Sequence, residues 1–191
     1  MKERLSLKII QEKVKTCKKC DLCITRKNAV PGKGNQNADI VFIGEAPGKK
    51  EDQYGEPFIG TAGKRLNEAL EYAELTRSSV YITNIVKCKP PENRIPNDIE
   101  KAMCSNYLED ELAIINPKII CLLGNTAFYS ILGGKEISKN HGKFVSKDNR
   151  IYFVTFHPAA TIYNQKLGKV FKNDIRKLMK ELQKLKTKSA D

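Results

Sequence analysis

The cysteines have the most distinctive spacing of any residue type in this 191-residue sequence, which contains six of them. Cys17 and Cys20 form a C-x2-C pair, a spacing that lets two thiolates point at one metal site. Cys88 and Cys104 lie farther along the chain and can complete a four-thiolate site, for zinc or for a 4Fe–4S cluster. Cys23 is a rival ligand, because Cys17, Cys20 and Cys23 together have a ferredoxin-like spacing.

Cys121 differs from the other cysteines because it stands inside an apolar run. We expect it to be a small core residue. The competing interpretation, in which all six are free reduced thiols, must explain why Cys88 and Cys104 lie outside obvious core positions. We therefore favour a four-cysteine metal site.

Other residues that could do chemistry follow short apolar runs. The turn 45–48 is bounded by glycine and exposes backbone groups and a carboxylate, with another carboxylate at Glu51. Phe58 stands in a proline- and glycine-flanked loop, where it can anchor the loop or offer a platform on which a planar ligand stacks. Asn84 and His157 follow two further runs. A lone histidine at a strand end is more often structural than catalytic, and none of these positions is specific on its own.

The apolar runs predict the elements that must position these side chains. Short β-branched or aromatic segments predict strands at 39–44, 80–83, 118–124, 143–145 and 151–156. Helical spacing predicts helices at 63–75 and 97–115, a short one ending at 133–134, an N-terminal one carrying Leu5, Ile9 and Val14, and a C-terminal one with an apolar stripe of Phe171, Ile175, Leu178, Leu182 and Leu185.

Strands that alternate with helices indicate a parallel sheet covered on both faces. The sequence therefore predicts a single three-layer α/β domain over residues 1–191, an αβα sandwich with a mainly parallel central sheet. Ligands of such sheets bind beyond the carboxyl ends of the strands. Segments 44–52, 84–88 and 157–160 lie there, so we expect the functional residues in them.

Composition favours a globular protein with an anionic partner. Hydrophobic residues make up 40% of the chain, and the formal net charge is +12, which predicts an anionic partner, either nucleic acid or membrane phosphates. A membrane is the less favoured partner, because no apolar run approaches the ~20 residues that a membrane-spanning helix needs, and the N-terminus lacks a secretory signal. We expect a soluble cytoplasmic protein, in which six cysteines indicate a metal site rather than disulfides.

The basic residues are concentrated at the two ends of the chain. Residues 1–50 carry 12 basic and 5 acidic groups, residues 131–191 carry 14 and 5, and the middle carries 8 and 12. A fold that brings the two ends together would have a basic face. The alternative is a solvated lysine-rich surface.

The motifs together resemble those of one family. Gly44-Glu45-Ala46-Pro47-Gly48 with Glu51-Asp52, then Gly55-Glu56-Pro57-Phe58-Ile59-Gly60 with Ala62-Gly63, strongly resembles the first motif of family-four uracil-DNA glycosylases, the iron–sulfur enzymes of bacteria and archaea. The segment from Tyr81 to Cys88, with Pro90-Pro91 and Asn93-Arg94, resembles the middle motif, and His157-Pro158-Ala159-Ala160 resembles the second motif. The resemblance spans roughly Cys17 to Ala160 in the family's order.

The resemblance implies a monofunctional DNA glycosylase. Such an enzyme hydrolyses the N-glycosidic bond of uracil in DNA during base excision repair of deaminated cytosine, and it leaves an abasic site. The resemblance also implies that Cys17, Cys20, Cys88 and Cys104 ligate a structural 4Fe–4S cluster. Cys23 and Cys121 would then be unligated.

The resemblance further implies substrate-binding roles. Phe58 would stack on a uracil flipped out of the helix, and Asn84 would accept from uracil N3–H and donate to O4. His157 would donate from Nε2 to uracil O2, where negative charge accumulates. The backbone of Glu45, Ala46, Pro47 and Gly48 would serve the same charge or orient the ring.

The motifs offer two candidates for the group that positions the attacking water. The best-known branch of the superfamily uses an Asp at the position of Ala46, where family four also has a non-acidic residue. We assign the water to Glu51, with Glu45 as the second candidate. The wedge that fills the gap in the DNA would be Ile162 or Tyr163.

Partners and competing functions follow from the same features. We expect a monomer that acts on uracil-containing DNA, single- or double-stranded, with Lys166 and Lys169 on phosphates and a sliding clamp as a candidate partner. A non-catalytic iron–sulfur nucleic-acid-binding module of the same fold is the alternative, and an RNA-modifying iron–sulfur enzyme is a third. A branch that cross-links to the abasic sugar is disfavoured, because its basic insertion is missing between Cys88 and Cys104.

Overall fold

The structure, a computed structural model, describes residues 6–188, so the predicted helical position Leu5 lies outside the described residues. The strands are β1 (Lys33–Gly34), β2 (Ile40–Gly44), β3 (Tyr81–Asn84), β4 (Ile119–Leu123), β5 (Lys143–Lys147) and β6 (Arg150–Thr155). The α-helices are α1 (Leu7–Lys15), α2 (Leu22–Thr25), α3 (Lys49–Tyr54), α4 (Thr61–Tyr72), α5 (Asp98–Ile115), α6 (Gly124–Leu132), α7 (Ile137–Asn140) and α8 (Gln165–Lys188).

The six strands form one sheet in the order β1-β3-β2-β4-β6-β5. The four central strands pair in parallel, and β1 and β5 join the two edges antiparallel, so the prediction of a mainly parallel sheet is confirmed. β5 and β6 form a hairpin. Its two-residue turn, Asp148-Asn149, has positive φ at both positions, which is the geometry that matches the twist of paired strands.

Side chains of the central strands alternate between two cores, one on each face of the sheet. Val41 and Ile43 of β2 pack into a core closed by α1, α5 and α6, while Ile40 and Phe42 pack into a core closed by α4 and α8. These layers confirm the αβα sandwich. Cys121 of β4 is fully buried in the second core, as predicted.

Two helices begin or pack as their sequences predict. α5 begins after Asn97, whose side chain accepts from the Glu100 amide at 2.9 Å while the Glu100 carboxylate accepts from the Asn97 amide at 2.8 Å. The stripe of α8 lies against the sheet, with Phe171, Ile175, Leu178 and Leu182 buried and Leu185 partly buried.

The segment between β2 and α4 contains a helix that the apolar spacing did not predict. α3 forms there, and its residues have no apolar spacing that would mark a helix. α1 packs in one outer layer and most of α8 in the other. Within residues 6–188, no helix combines the length and apolarity that crossing a membrane requires.

Candidate active site

A cavity of about 550 Å³ opens at the carboxyl ends of β2, β3 and β6, and we call it the strand-end cavity. All three predicted segments contribute to its wall. The lining includes every side chain or backbone group predicted for substrate binding or catalysis: Glu45, Ala46, Pro47, Gly48, Glu51, Phe58, Asn84 and His157. The parallel strands bring these residues together from positions more than one hundred residues apart.

Asn84, the last residue of β3, has an acceptor without a donor. Its side chain is 1% exposed, and Oδ1 is the one buried side-chain N or O atom of the described residues that lacks a hydrogen-bond partner. Leaving a buried carbonyl unpaired is unfavourable by about 1–3 kcal/mol, so the atom is suited to receive a ligand's N–H.

Gly44 makes room for this arrangement. A Cβ at Gly44, which pairs with Asn84 across β2 and β3, would lie 2.5 Å from Asn84 Oδ1 and 2.5 Å from Cζ of Phe58. Any side chain there would displace the amide or the ring. The Phe58 ring is itself buried and lies with its centroid 5.7 Å from that of His157.

His157 is held in one tautomer. Its Nδ1 accepts from the Ala159 amide at 3.2 Å, and because a backbone N–H can only donate, the ring proton resides on Nε2. Burial lowers the pKa of His157 to about 4, so the ring is neutral near pH 7. Gly124, with φ of +88°, lets α6 approach, since a Cβ there would lie 2.8 Å from the His157 Cβ.

The two predicted carboxylates are both held by protein donors. Glu51 is buried, and its Oε1 accepts from the amides of Ile59 at 2.9 Å and Gly60 at 2.7 Å. Glu45 accepts through Oε2 from the hydroxyl of Thr126, at the start of α6. Each carboxylate keeps one oxygen that accepts no hydrogen bond from another described residue, so each can take a water.

The rim of the strand-end cavity is basic and partly apolar. Lys49 and Lys50, at the start of α3, are exposed and line the cavity, a role that sequence reasoning missed. Of the two predicted wedges, Ile162 lines the cavity and Tyr163 is 94% exposed beside it. Such a rim suits a polyanion with exposed bases.

Five cysteines line a second, smaller cavity beside α1 and α5, which we call the cysteine cavity: Cys17, Cys20, Cys23, Cys88 and Cys104. The four predicted ligands are therefore brought together, and Cys23 remains a rival. Arg26 donates from Nη1 to Cys88 Sγ at 2.7 Å, and the Lys87 amide donates to Cys104 Sγ at 3.3 Å. Such N–H···S bonds orient and stabilise thiolate ligands.

The donor set of the cysteine cavity consists of thiols, which are ligands of both zinc and iron–sulfur clusters. Among the described residues, no group of three or more His, Cys, Asp or Glu side chains is arranged to hold a metal ion. A 4Fe–4S cluster takes each thiolate on a different iron, so its ligands surround a volume rather than a point. Burial raises the pKa of the Cys88 thiol to about 11, so binding a metal there would release a proton.

A buried ion pair lies between the two cavities. Lys87 and Glu111 are each 1% exposed, with Nζ and Oε2 2.7 Å apart. Lys87 Nζ also donates to the carbonyl of Asn84 at 3.1 Å, and Glu111 accepts from Thr83 Oγ1 at 2.8 Å. Sequence reasoning assigned Lys87 no role, although a lysine within the apolar run before Cys88 was a usable signal.

Comparisons with known proteins agree with the geometry. The profile of the uracil DNA glycosylase superfamily matches residues 31–183 of this chain. The type-4 uracil-DNA glycosylase of Sulfurisphaera tokodaii is 46% identical over 183 residues, which cover 91% of this chain and 83% of that protein. The type-4 uracil-DNA glycosylase of Thermotoga maritima is 40% identical over 176 residues, which cover 90% and 92%.

A protein of another type matches less well. The type-5 uracil-DNA glycosylase of Pyrobaculum aerophilum is 31% identical over 148 residues, which cover 68% of this chain and 65% of that protein. The two type-4 proteins thus match more of the chain at higher identity.

Proposed function

The chain belongs to the uracil-DNA glycosylase superfamily, within its type-4 family, and on that basis we propose that it hydrolyses the N-glycosidic bond of uracil in DNA through the strand-end cavity. The product would be an abasic site, the first intermediate in repair of deaminated cytosine. The observation that carries the assignment of the cavity is the unpaired Oδ1 of Asn84, which offers an acceptor where uracil has a donor.

Asn84 would provide the specificity. Uracil presents N3–H as a donor and O4 as an acceptor, which one amide can match. Cytosine presents N3 as an acceptor and N4 as a donor, so the same amide would face groups that it cannot pair with. A site built in this way discriminates by factors of ~10⁴.

Binding would begin with a flipped nucleotide, because the glycosidic bond is buried in the duplex. Flipping is unfavourable by a few kcal/mol, and by less where the base is mispaired or single-stranded. The buried Phe58 ring would stack on the extrahelical uracil. The exposed lysines at the rim would contact phosphates.

His157 would stabilise the departing base. As the bond breaks, the sugar gains oxocarbenium character and uracil leaves with negative charge on its ring. A neutral imidazole with its proton on Nε2 can donate to uracil O2 without itself being an acid. The backbone N–H groups of Ala46 and Gly48, which donate to no other described residue, can serve the same charge.

Glu51 would position the attacking water. Its Oε1 is fixed by two backbone amides, and its Oε2 faces the space beside Gly48, where a Cβ would lie 2.8 Å away. Glu45 has a comparable free oxygen but is less buried. The anionic carboxylate would also favour the positive charge that develops on the sugar.

The activity is tested with a DNA oligonucleotide that contains one uracil, followed by alkaline cleavage of abasic sites. We expect cleavage at the uracil and none in the matched cytosine oligonucleotide. Absence of cleavage with both single- and double-stranded substrate would refute the function and favour the non-catalytic nucleic-acid-binding alternative, which shares the charge and the cysteines.

The choice between the carboxylates is a first specific prediction. Under single-turnover conditions, Glu51→Gln should lower the excision rate by ~10²-fold or more, because an amide holds the water without withdrawing its proton. Glu45→Gln should lower the rate by less than ~10-fold. The reverse order would move the water to Glu45.

We also propose that Cys17, Cys20, Cys88 and Cys104 hold a 4Fe–4S cluster. The cluster, when bound, would have a structural role. It would link the segment between α1 and α2 to the residues that follow β3 and to the N-terminal half of α5. Arg26 and the Lys87 amide would donate to two of the thiolates. Purified protein should be brown with about four irons per chain, whereas one zinc in a colourless active preparation would contradict the cluster.

Ligand choice among the five thiols can be resolved by substitution. Cys23→Ser should keep the visible absorption and the iron content, and Cys88→Ser should lose both. Loss of iron in Cys23→Ser would instead place Cys23 among the ligands. We propose that one chain acts on DNA by itself, and a sliding-clamp contact stays a prediction.

A further inference from the structure

The loop that carries Phe58 has an unusual backbone conformation. Phe58 has φ of 53°, in the left-handed region that bulky side chains rarely adopt. Residues in such conformations persist only where neighbouring groups stabilise them, and they concentrate at functional sites. The groups that bind the backbone around Phe58 therefore bear on the function of the site.

Arg77 provides one set of contacts. Its Nη1 donates to the Phe58 carbonyl at 3.0 Å, and its Nη2 donates to the Pro57 carbonyl. The planar guanidinium thus binds two successive carbonyl groups with two of its N–H bonds, a fork that a lysine ammonium cannot reproduce.

Glu51 provides the complementary contacts through the amides of Ile59 and Gly60. Arg77 and Glu51 together bind the three successive peptide groups that begin at the Pro57 carbonyl and end at the Gly60 amide. The same carbonyl lies close to α4, where a Cβ at Gly63 would be 1.8 Å from the oxygen of Phe58. The Phe58 carbonyl is therefore bound by Arg77 and packed against α4.

Arg77 is itself anchored to the element that carries the specificity amide. It begins a 3₁₀ turn, Arg77–Ser79, that leads directly into β3, at whose end Asn84 lies. Its Nη1 also donates to Asn67 Oδ1 of α4 at 3.2 Å. One side chain thus connects the Phe58 loop, α4 and the start of β3.

We propose that Arg77 is a positioning residue for uracil, which holds Phe58 in its left-handed conformation so that the ring lies in the strand-end cavity. This inference rests on the proposed function, because it assumes that uracil stacks on Phe58. Without the guanidinium, Phe58 would relax to negative φ and its ring would leave the cavity wall. Recognition of uracil would weaken, while the remote DNA contacts would not.

The test uses Arg77→Met, which keeps the length and apolar stem but removes the fork. The matched control is Arg65→Met on α4, whose guanidinium pairs with Glu68 near the surface. The measured quantities are the inhibition constant for free uracil, the single-turnover rate at saturation and the affinity for undamaged duplex. We expect Arg77→Met to raise the inhibition constant at least ~10-fold and to change the duplex affinity less than ~2-fold.

A double-substitution cycle separates positioning from general stabilisation. If Arg77 acts through the Phe58 ring, then adding Arg77→Met to Phe58→Ala should raise the inhibition constant no further than Phe58→Ala alone. Additive effects would mean that Arg77 supports the fold and not the ring. An unchanged inhibition constant in folded Arg77→Met would also overturn the proposal.

Folding and function are controlled for separately. If Arg77→Met does not fold, Arg77→Lys keeps the charge and one carbonyl contact, and we expect a smaller rise of ~3-fold in the same constant; no rise in that folded variant would refute the proposal. Failure of the proposed function would appear differently, as the absence of uracil release by the unsubstituted chain and by Arg65→Met.

Discussion

Single side chains in the strand-end cavity are held by contacts with both neighbouring and distant residues of the sequence. Asn84 is placed by its strand and by the absence of a side chain at Gly44, and His157 is fixed in one tautomer by the amide of Ala159. Thr126 contacts Glu45 from 81 residues away. Each contact leaves free the atom that the proposed chemistry uses.

The specificity assignment predicts the behaviour of Asn84→Asp. A protonated carboxyl can donate and accept where cytosine accepts and donates, so the variant should gain measurable excision of cytosine and lose ~10²-fold or more on uracil. Rates on paired uracil and cytosine oligonucleotides provide the measurement. Uracil selectivity equal to that of the unsubstituted chain would remove Asn84 from this role.

His157→Ala should lower the single-turnover rate by ~10²–10³-fold, the usual loss for one preorganised donor to a developing anion. His141, the other histidine, lies outside the strand-end cavity and pairs with Asp174, so His141→Ala is the matched control. Equal losses in the two variants would indicate a structural effect.

The low pKa of His157 predicts a pH dependence of stability. Its pKa of about 4 in the folded chain is below the ordinary value of 6.5, so the unfolded chain takes up the proton first as the pH falls. The free energy of unfolding should therefore decline between pH 6.5 and 4 through this residue. The decline should be smaller in His157→Gln, which denaturant titrations at several pH values would measure.

At the level of secondary structure, the strand-end cavity and the cysteine cavity meet at the C-terminal end of β3. Asn84 closes the strand, Lys87 follows within one turn, and Cys88 lines the cysteine cavity. The ion pair of Lys87 with Glu111 connects this end of β3 to the C-terminal half of α5. A substitution that breaks the ion pair should therefore affect both the strand-end cavity and the cysteine cavity.

Substitution of one partner of the pair tests this connection. Lys87→Met should lower the free energy of unfolding by ~3–5 kcal/mol, because it leaves the Glu111 carboxylate buried without its cation. The double variant Lys87→Met/Glu111→Gln should recover part of that loss. Lys139→Met, which breaks an exposed pair with Glu136, is the control and should have little effect. Equal losses in all three would contradict the interpretation.

The hydrophobic pattern of the sequence predicted most helices and strands, but not the hydrogen bonds that fix the residues of the strand-end cavity. β2 and β4 are continuous apolar runs and α8 has a regular stripe, so their periodicity was sufficient. α3 has no apolar spacing, because its buried residues are the carboxylates Glu51 and Asp52. Arg77 follows Phe58 by 19 residues, and such long-range hydrogen bonds have no sequence period.

At the scale of the whole molecule, α1 and most of α8 lie in opposite outer layers, and both helices carry basic residues. α8 begins beside the strand-end cavity, with Asn164 capping its first amides and Lys166 and Lys169 exposed on its first turns. DNA bound at the cavity mouth would meet this end of α8. The distal end of the helix would remain free.

This arrangement predicts which lysines set the salt dependence. Each of Lys166→Ala and Lys169→Ala should reduce the slope of log affinity against log salt by about 0.9, the value for one phosphate contact. Lys184→Ala lies ~27 Å farther along α8 and should leave the slope unchanged. Binding titrations at several salt concentrations are the measurement, and equal slopes in all three variants would place the DNA elsewhere.

The two edges of the sheet have a consequence for the protein in crowded solution. β1 has only two residues, and β5 begins and ends with exposed lysines at Lys143 and Lys147. An edge strand that is long, flat and apolar invites another chain to add a strand, whereas a short edge and a charged edge both oppose it. The sheet is therefore protected against edge-to-edge aggregation on both sides, which suits a chain expected to work alone.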